Sequence, residues 1–381
     1  MTRPLLVIFL TILVNLVGFG IIIPLLPFYA ETFGASPIVV GLLFAVFSLC
    51  QLVAAPILGD LSDRYGRRPI LIVSLIGTVV SFVMLALAHS LTMLFIARIV
   101  DGLSGGNIST ARAYVADVTE PQDRARAFGL IGAAFGLGFI LGPGISAVLA
   151  PLSYTAPIWA AAGITLVATA MAWFWLPETV HRAHAGTGMP FRNLLAMLGR
   201  PALRRVLLMD FAYWFAFAIF QTTFALFAAA RFGFDAARTA AFFAAFAVLG
   251  ALVQGVFIRR IVQQFGDKKT LRLGLVCAAF GLVAATLTHT VGFFAASLIP
   301  LALGIGFGHP TMSSLISRAA RADEQGRVQG AASAVESLGR TIGPVWGSAS
   351  LRFGEASPYI SAAGFLIMTL LLSVGHRVEE T

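Results

Sequence analysis

The sequence predicts an all-α membrane protein with twelve transmembrane helices in two halves of six. The first observation is composition: of 381 residues, 58% are hydrophobic and only 11% are charged, whereas soluble domains average roughly 45–50% and about 25%. The second is that twelve apolar stretches reach the length of about 20 residues that a spanning helix needs. The third is an internal repeat. Together they argue against a soluble enzyme, a DNA-binding protein or a disordered scaffold.

The predicted spans cover most of the chain. They lie near residues 5–28, 38–58, 69–88, 91–116, 127–150, 155–176, 204–230, 236–258, 270–288, 290–317, 327–350 and 357–376. Arg3 before an apolar run resembles a signal peptide, but the run is too long, so we interpret it as a retained first helix. We predict an N-terminal half at 1–176, a cytoplasmic linker at 177–203 and a C-terminal half at 204–381.

The basic residues set the predicted orientation. Of the 26 lysines and arginines, 20 fall in the two termini and in the loops that follow even-numbered spans. The positive-inside rule places these segments, including both termini, in the cytoplasm. The net charge of +9 then faces anionic lipid headgroups rather than a nucleic acid. We expect a multi-pass protein of the cell (inner) membrane.

The two halves resemble each other at an offset of 200 or 201 residues. Three pairs of short motifs match at equivalent positions: 65–66 with 265–266, 126–129 with 327–330, and 142–143 with 343–344. Because six helices separate the members of each pair, both halves cross the membrane in the same direction. Parallel repeats of this kind are typical of transporters, with the site near the midplane between the halves.

The loop between spans two and three carries acidic and basic residues in a short turn. The residues of interest are Gly59, Asp63, Arg64, Gly66, Arg67 and Arg68. The two glycines permit close approach or a positive φ, and Asp63 can accept from helix-terminal amides or from arginine. A solvated basic loop would have the same composition. The second copy, from Arg259 to Lys269, keeps Gly266 and the basic residues but lacks the acid.

The order of residues in this loop resembles the G-x-L-x-D-R-x-G-R-R signature of the major facilitator superfamily. Two further patterns agree. Arg98 and Asp101 in span four resemble the family's membrane-embedded arginine motif. Gly138, Gly142 and Pro143 in span five resemble the motif that marks antiporters. The resemblance implies the major facilitator fold, alternating access and export.

The same resemblance implies a role for the charged loop. We expect Asp63 and Arg67 to form a conformational latch with Asp117, which ends span four on the same side of the membrane. We also expect the small residues of span five to set tight packing that blocks leak, since small side chains allow close helix approach.

The likeness is strongest to drug:proton antiporters, in particular bacterial tetracycline exporters, but it fails at four positions. Those exporters have acids in spans one, three and nine and a histidine in span eight. This chain has Asn15, Ser81, Ala278 and Gly250 there, and none of these can titrate like its counterpart. The exporter class is still expected, but tetracycline as substrate does not follow.

Three acids lie at membrane depth, where a charge costs at least about 2.5–3.5 kcal/mol and is a functional candidate by default. We rank Asp101 first for proton coupling, ahead of Glu336 and Asp210, because Arg98 and Arg112 share its stripe of the helix. The alternative for Asp101 is a static pair with Arg98.

The other two acids have structural alternatives as well. Glu336 precedes Arg340 by four residues, a favourable order for a structural intrahelical pair. Asp210 lies near the cytoplasmic end of its span, where Arg204 or Arg205 would be natural partners.

Further side chains are candidates for the wall of a substrate cavity. Trp214, Phe217 and Gln221 line up with Asp210 on span seven, and aromatic rings beside an amide would suit a flat lipophilic ligand. Phenylalanine that faces lipid is the alternative there. The remaining candidates are Asn15, Gln51, Asn107, Arg112, Gln254, His309 and Arg340. His309 precedes Pro310 and could equally cap a kinked helix.

We predict a secondary active transporter that exports a small amphipathic, drug-like compound in exchange for protons. One alternative is an exporter of an endogenous metabolite, such as a sugar or amino-acid derivative. Another is a membrane sensor or partner-binding protein that transports nothing. We expect a monomer without cofactor or metal, in which Cys50 and Cys277 form no disulfide. The sequence contains no H-E-x-x-H, G-x-S-x-G or P-loop, so enzyme activity is not expected.

Overall fold

The computed structural model describes residues 3–120, 123–179, 197–321 and 324–374, and these residues form helices but no strand. Within this part of the chain, nine segments are long and apolar enough to cross a membrane. The prediction of an all-α, multi-pass membrane protein is therefore confirmed. The predicted linker, 177–203, lies largely outside the described residues.

The chain divides into two compact units. The first comprises Met1–Thr187 and Phe234–Ala244, and the second comprises Gly188–Gly233 and Ala245–Thr381. The helices before the predicted linker are α1 (Arg3–Glu31), α2 (Pro37–Tyr65), α3 (Arg67–Ala86), α4 (Leu91–Ser104), α5 (Ile108–Asp117), α6 (Arg124–Leu149) and α7 (Ala156–Trp175). A short 3₁₀ turn, Gly105–Asn107, separates α4 from α5.

The helices after the predicted linker follow a similar plan. They are α8 (Pro201–Phe232), α9 (Ala236–Leu252), α10 (Ile258–Leu287), α11 (Val291–Ala319), α12 (Gln325–Ser350) and α13 (Ser357–Val374). A π-helical segment, Val253–Phe257, joins α9 to α10. Within α10, Gly266 has φ 74° and ψ 165°, which is not helical, so the chain turns at that residue.

These bounds are consistent with the predicted count of twelve spans. One apolar segment, Ala236–Leu287, is 52 residues long and covers predicted spans eight and nine, with the turn at Gly266 between them. The helices α4 and α5 together cover predicted span four, and α12 covers span eleven. The predicted end of span two near residue 58 is too early, because α2 continues to Tyr65.

Small residues bring α1 and α6 into close contact. A Cβ atom on Gly142 would lie 2.5 Å from the carbonyl oxygen of Val17 and 2.7 Å from the Cα of Gly20, and a Cβ on Gly138 would overlap a side chain of α1. A Cβ on Gly136 would meet nothing within 4 Å. Only glycine therefore fits at 138 and 142 without moving a neighbouring helix.

The second unit repeats this packing between α8 and α12. A Cβ on Gly343 would lie 2.8 Å from the carbonyl oxygen of Phe215, and a Cβ on Gly339 would lie 3.0 Å from its backbone nitrogen. These glycines follow Gly138 and Gly142 at an offset of 201 residues. The sequence repeat is thus also a repeat of helix packing, in which close backbone approach supplies the attraction between helices.

An ion pair ties the start of α8 to the start of α12. Arg200 donates two hydrogen bonds, of 2.5 and 2.8 Å, to the carboxylate of Glu324. The carboxylate is only 5% exposed. The hydrogen bonds from Arg200 lower the pKa of Glu324 from its ordinary value of 4.5. The folded state therefore favours the charged form of this residue.

This pair gives a pH-dependent contribution to stability. Because folding lowers the pKa of Glu324, its contribution is complete above 4.5 and is lost as the pH falls through the folded-state pKa. In detergent at neutral pH, Glu324→Gln should lower the midpoint of thermal unfolding by about 2 °C. Below about pH 4 the difference should shrink. An equal difference at both pH values, or an equal loss in the control Arg204→Gln, at an exposed position on α8, would contradict this expectation.

Candidate functional site

Arg98 and Asp101 form a buried ion pair on α4. Arg98 Nη1 lies 2.7 Å from Asp101 Oδ2, and the two residues are 1% and 8% exposed. The Arg98 guanidinium also lies over the ring of Phe47, 4.1 Å from its centroid. A Cβ on Gly102 would lie 2.5 Å from the Phe47 carbonyl oxygen, so α4 is pressed against α2. Both charges thus have partners within the first unit.

The predicted stripe on span four does not continue past this pair. The 3₁₀ turn at Gly105–Asn107 interrupts the helix, and Gln51 Nε2 donates to the freed carbonyl oxygen of Gly105 over 2.9 Å. As a result Arg112 is exposed, whereas Arg98 is buried. The alignment of Arg112 with Asp101 is therefore wrong, because it assumed one uninterrupted α-helix.

Polar side chains meet at the same interruption. Asn15 Nδ2 donates to Asn107 Oδ1 over 3.2 Å, and Asn107 is 2% exposed with its own Nδ2 buried and without a hydrogen-bond partner. With Gln51, three of the predicted cavity residues gather around the turn between α4 and α5. The spare amide donor of Asn107 is a group that a substrate could satisfy.

The charged motif after α2 builds a corner at the start of α3. Arg67 pairs with Asp63, 2.5 Å away, and with Asp117 at the end of α5, 3.2 Å away. Gly66, the only residue between α2 and α3, has φ 106°. We call Asp63, Gly66, Arg67 and Asp117 the first corner. Gly59 requires neither the close approach nor the positive φ expected for it, because it lies within α2 and a Cβ there would meet nothing within 4 Å.

Sequence reasoning missed one residue that contacts the first corner. Glu178, just after α7, accepts from the backbone N–H groups of Arg67 and Arg68 over 2.9 and 3.2 Å. Its carboxylate occupies the space that a Cβ on Gly66 would need. The signal that could have revealed it is an isolated acid directly after an apolar span. Arg64 instead forms an exposed pair with Asp60 at 2.9 Å.

In the second unit, charged side chains meet where α8 packs against α12. Asp210 is 1% exposed, and its Oδ2 atom is buried without a hydrogen-bond partner. Asp210 lies close enough to Glu336 on α12 for the two carboxylates to interact electrostatically. Glu336 in turn interacts with Arg340, one turn further along α12. The packing at Gly339 is what brings these charged groups of α12 against α8.

The expected partners of Asp210 lie elsewhere. Arg205 donates its Nε to the carbonyl oxygen of Leu372 over 2.7 Å, and Arg204 is exposed. The alternative in which Asp210 meets these arginines is therefore wrong. Asp210 lies far enough along α8 to face α12 instead.

Trp214 connects several predicted cavity residues. The Arg340 guanidinium lies 5.7 Å from its ring centroid, while His309 and Phe217 pack edge-on against it at 5.5 and 5.8 Å. Gln221, two turns along α8, is 7% exposed with its Nε2 unpartnered. Arg340, which contacts Trp214 and interacts with Glu336, thus connects this aromatic group to the acid pair.

The remaining predictions concern the phenylalanines of α8 and the cavity candidates Gln254 and Arg112. The phenylalanines of α8 that are buried are Phe215, Phe220, Phe224 and Phe227, at 4%, 1%, 1% and 1% exposure. For these four rings the alternative that they face lipid is therefore wrong, while Phe217 is half-buried. Among contacts of the described residues, none links Gln254 or Arg112 to either cluster, and both side chains are exposed.

The second copy of the loop motif does contain an acid. Asp267, directly after Gly266, accepts from Ser314 Oγ over 2.7 Å and pairs with Arg318 over 2.9 Å. We call Gly266, Asp267, Ser314 and Arg318 the second corner. The expectation that this copy lacks an acid is wrong, because the acid stands at the position of Arg67 rather than at that of Asp63.

In the described part of the chain, no group of three or more histidine, cysteine or acidic side chains could hold a metal ion. Cys50 and Cys277 are both free thiols.

Comparison with known proteins places this geometry in a family. Residues 8–344 match the Major Facilitator Superfamily. Tetracycline resistance protein, class C, of Escherichia coli is 32% identical over 352 residues, which cover 90% of this chain and 88% of that protein. Multidrug resistance protein 2 of Bacillus subtilis (strain 168) is 28% identical over 378 residues, which cover 97% and 94%.

Solved structures agree with the sequence matches. The human organic anion transporter MFSD10 (TETRAN) has a TM-score of 0.75 at 25% identity, covering 97% of this chain and 99% of that one. The peptide transporter POT in complex with sulfate has a TM-score of 0.82 at 14% identity, covering 98% and 94%, and this likeness concerns the fold alone. The relatives are transporters and resistance proteins, not enzymes. With its motifs, its fold and most of its length in agreement, the chain belongs to the Major Facilitator Superfamily.

Proposed function

We propose that this protein exports small amphipathic, drug-like compounds in exchange for protons by alternating access. The observation that carries the proposal is similarity over nearly the whole chain to proteins named for tetracycline resistance and multidrug resistance. Two groups of polar side chains at membrane depth support it. They are the amides Asn15, Gln51 and Asn107 in the first unit, and Asp210 and Glu336 with Arg340 and Trp214 in the second. Such a combination suits an amphipathic ligand and a coupled proton.

We place the protein in the cell (inner) membrane as a monomer with both termini in the cytoplasm. The support for this orientation is the position of 20 of the 26 basic residues in segments on one side. The internal repeat supports halves at 1–176 and 204–381 joined by the linker at 177–203. The repeated glycine packing on α6 and α12 supports the same division.

We assign proton coupling first to Asp210 and Glu336. A buried carboxylate oxygen without a partner is costly when charged, and Asp210 Oδ2 is in that position. A second carboxylate nearby adds repulsion, and Arg340 can balance only one of the two charges. Binding one proton would relieve both costs. This assignment reverses the order suggested by the sequence, which put Asp101 first.

Asp101 suits a structural role better. Its charge is compensated by Arg98 at 2.7 Å. Removing one partner of a buried ion pair leaves an uncompensated charge, which is strongly destabilising. We therefore infer that the pair holds α4 against α2 throughout the cycle.

We propose one substrate-contacting surface in each unit. In the second unit, the Trp214 and Phe217 rings would stack on a flat apolar body, while the spare Gln221 amide would donate to a polar group. In the first unit, Asn15 and Asn107 would supply hydrogen bonds. A ligand with both a flat ring system and polar substituents matches these groups.

The first corner yields a kinetic prediction. Asp63→Asn should lower the rate of export by at least about fivefold, because hydrogen bonds to charged groups are among the stronger ones. Substrate binding should persist, since no residue of the first corner is among those proposed to contact the substrate. The measurement is initial efflux rate and equilibrium binding of ethidium in the same preparation.

A matched control separates this effect from general loss of charge. Asp60→Asn removes an acid one turn earlier on α2 whose partner, Arg64, is 64% exposed. Exposed pairs contribute little, so this variant should export normally. Equal rates for Asp63→Asn and the parent protein at equal expression would remove the latch role.

The function itself is tested by a resistance and efflux panel in a pump-deficient host, with and without a proton uncoupler. Tetracycline, ethidium and several unrelated amphipathic drugs serve as probes. We expect reduced accumulation of at least one probe, abolished by the uncoupler. Export confined to sugar or amino-acid derivatives would favour the metabolite alternative. No export of any compound by correctly inserted protein would favour the sensor alternative.

A further inference from the structure

The chain turns by the same device in both corners. Gly66 has φ 106° and ψ 151°, and Gly266 has φ 74° and ψ 165°. Both lie at positive φ, which glycine adopts readily and other residues rarely do. In each corner the helix of one predicted span ends at the glycine and the next begins directly after it. The two turns are 200 residues apart.

The residue after each glycine is the buried centre of its corner. The side chain of Arg67 is 13% exposed and that of Asp267 is 7% exposed. Each of these two side chains contacts a residue at the end of the next predicted span in the same half. Arg67 pairs with Asp117, the last residue of α5, and Asp267 pairs with Arg318, in the last turn of α11. These partners are also one repeat apart, at an offset of 201 residues.

The two corners carry opposite charges. In the first, a cationic centre is surrounded by acceptors. In the second, an anionic centre is surrounded by donors, Ser314 Oγ and Arg318. A charge this poorly exposed requires a partner of opposite sign. The geometry of the ion pair is thus repeated, while the signs of its two charges are exchanged. Lys268 and Lys269, next to Asp267, keep the segment basic overall.

We propose that Asp267 and Arg318 are positioning residues of the transport cycle and form the charge-inverted counterpart of the Arg67–Asp117 pair. This inference rests on the proposed transport function. The pair fastens the start of the helix after Gly266 to the end of α11, so that both ends move together when this half changes conformation. Loss of the pair slows that movement without touching the substrate contacts proposed on α8.

The experiment measures Vmax, KM and equilibrium binding of ethidium in proteoliposomes for Asp267→Asn, Arg318→Gln and the double variant Asp267→Arg/Arg318→Asp. Each single variant should lose at least about fivefold in Vmax, as expected for lost hydrogen bonds to a charged group. KM and binding should stay near the parent values. The double variant recreates the polarity of the first corner and should regain about half of the lost rate or more, the signature of a direct pair.

The controls separate a positioning role from a general structural one. Asp267→Glu keeps the charge and should retain most of the rate, and Lys269→Gln, at an exposed neighbouring position, should change nothing. The inference is overturned by parent-like Vmax in the single variants. It is also overturned by binding that falls in proportion to rate, or by a double variant no better than the single ones.

A second readout keeps this inference separate from the proposed function. The variant Ser313→Cys, at an exposed position and combined with Cys50→Ser and Cys277→Ser, records the ethidium-induced change in labelling without requiring export. We expect this change to be reduced in Asp267→Asn, and an undiminished change would overturn the inference. A parent protein that shows the labelling change but exports nothing would contradict the proposed function and leave the corner standing. A parent protein without any labelling change would overturn both.

Discussion

Replacing Gly142 with leucine is expected to abolish export against a gradient while leaving membrane insertion intact. A Cβ at this position would already lie 2.5 Å from the carbonyl oxygen of Val17, and backbone atoms cannot yield as a flexible side chain can. Overpacking typically costs about 1–3 kcal/mol. Here the clash is relieved only when α1 and α6 move apart. The separated helices should either block the cycle or permit downhill leak.

The measurement is the accumulation ratio of ethidium in everted vesicles, together with the rate of passive equilibration. The matched control is Gly136→Leu on the same helix, where a Cβ would meet nothing within 4 Å. We expect that variant to keep most of the parent accumulation. Parent-like accumulation ratios in Gly142→Leu would show that close contact at this glycine is not required for export.

Neutralising the acid pair of the second unit is expected to uncouple transport from the proton gradient. If Asp210 and Glu336 share the coupling proton, Asp210→Asn and Glu336→Gln should each lose gradient-driven accumulation by about tenfold or more. A factor of ten corresponds to about 1.4 kcal/mol of coupling. Downhill exchange should survive. Because proton and substrate binding are linked reciprocally, the pH dependence of ethidium affinity should also disappear.

Asp101→Asn provides the comparison for this experiment. If its pair with Arg98 is structural, this variant should lose thermal stability, while any protein that folds should still respond to an imposed pH gradient. The opposite pattern, with coupling lost only in Asp101→Asn, would restore the ranking that the sequence suggested. Coupling retained in all three variants would exclude all three acids. A parent protein that ignores the gradient would contradict the antiporter proposal.

Features encoded locally were predictable from the sequence. The apolar spans follow from composition, because a helix of about 20 apolar residues is the simplest way to satisfy backbone hydrogen bonds in lipid. The first corner followed from the order of residues between Gly59 and Arg68. The pairing of Arg98 with Asp101 followed from their spacing of three residues on one helix face. Asp63 and Arg67, like Arg98 and Asp101, are near neighbours along the chain, whereas Asp117 lies 50 residues from Arg67 and is expected from the family resemblance.

Features that depend on distant segments were not predictable in this way. Glu178 reaches the start of α3 from a segment more than a hundred residues later. The role of Asp267 depends on Arg318, which lies on another helix, and its charge is opposite to that at the matching position. The side chain of Arg112 is exposed because a glycine-rich 3₁₀ turn changes the phase of the helix before it.

The sequence by itself determined the family, the membrane-spanning helices, the internal repeat and the set of residues from which a site can be built. The tertiary structure decided which of these residues meet. It left Asp101 paired with Arg98 on α4, and it brought the unsatisfied Asp210 against Glu336 because Gly339 and Gly343 allow α12 to lie close to α8. The physical reason is that the energy of a buried charge depends on its neighbours across helices, which spacing along one helix does not specify.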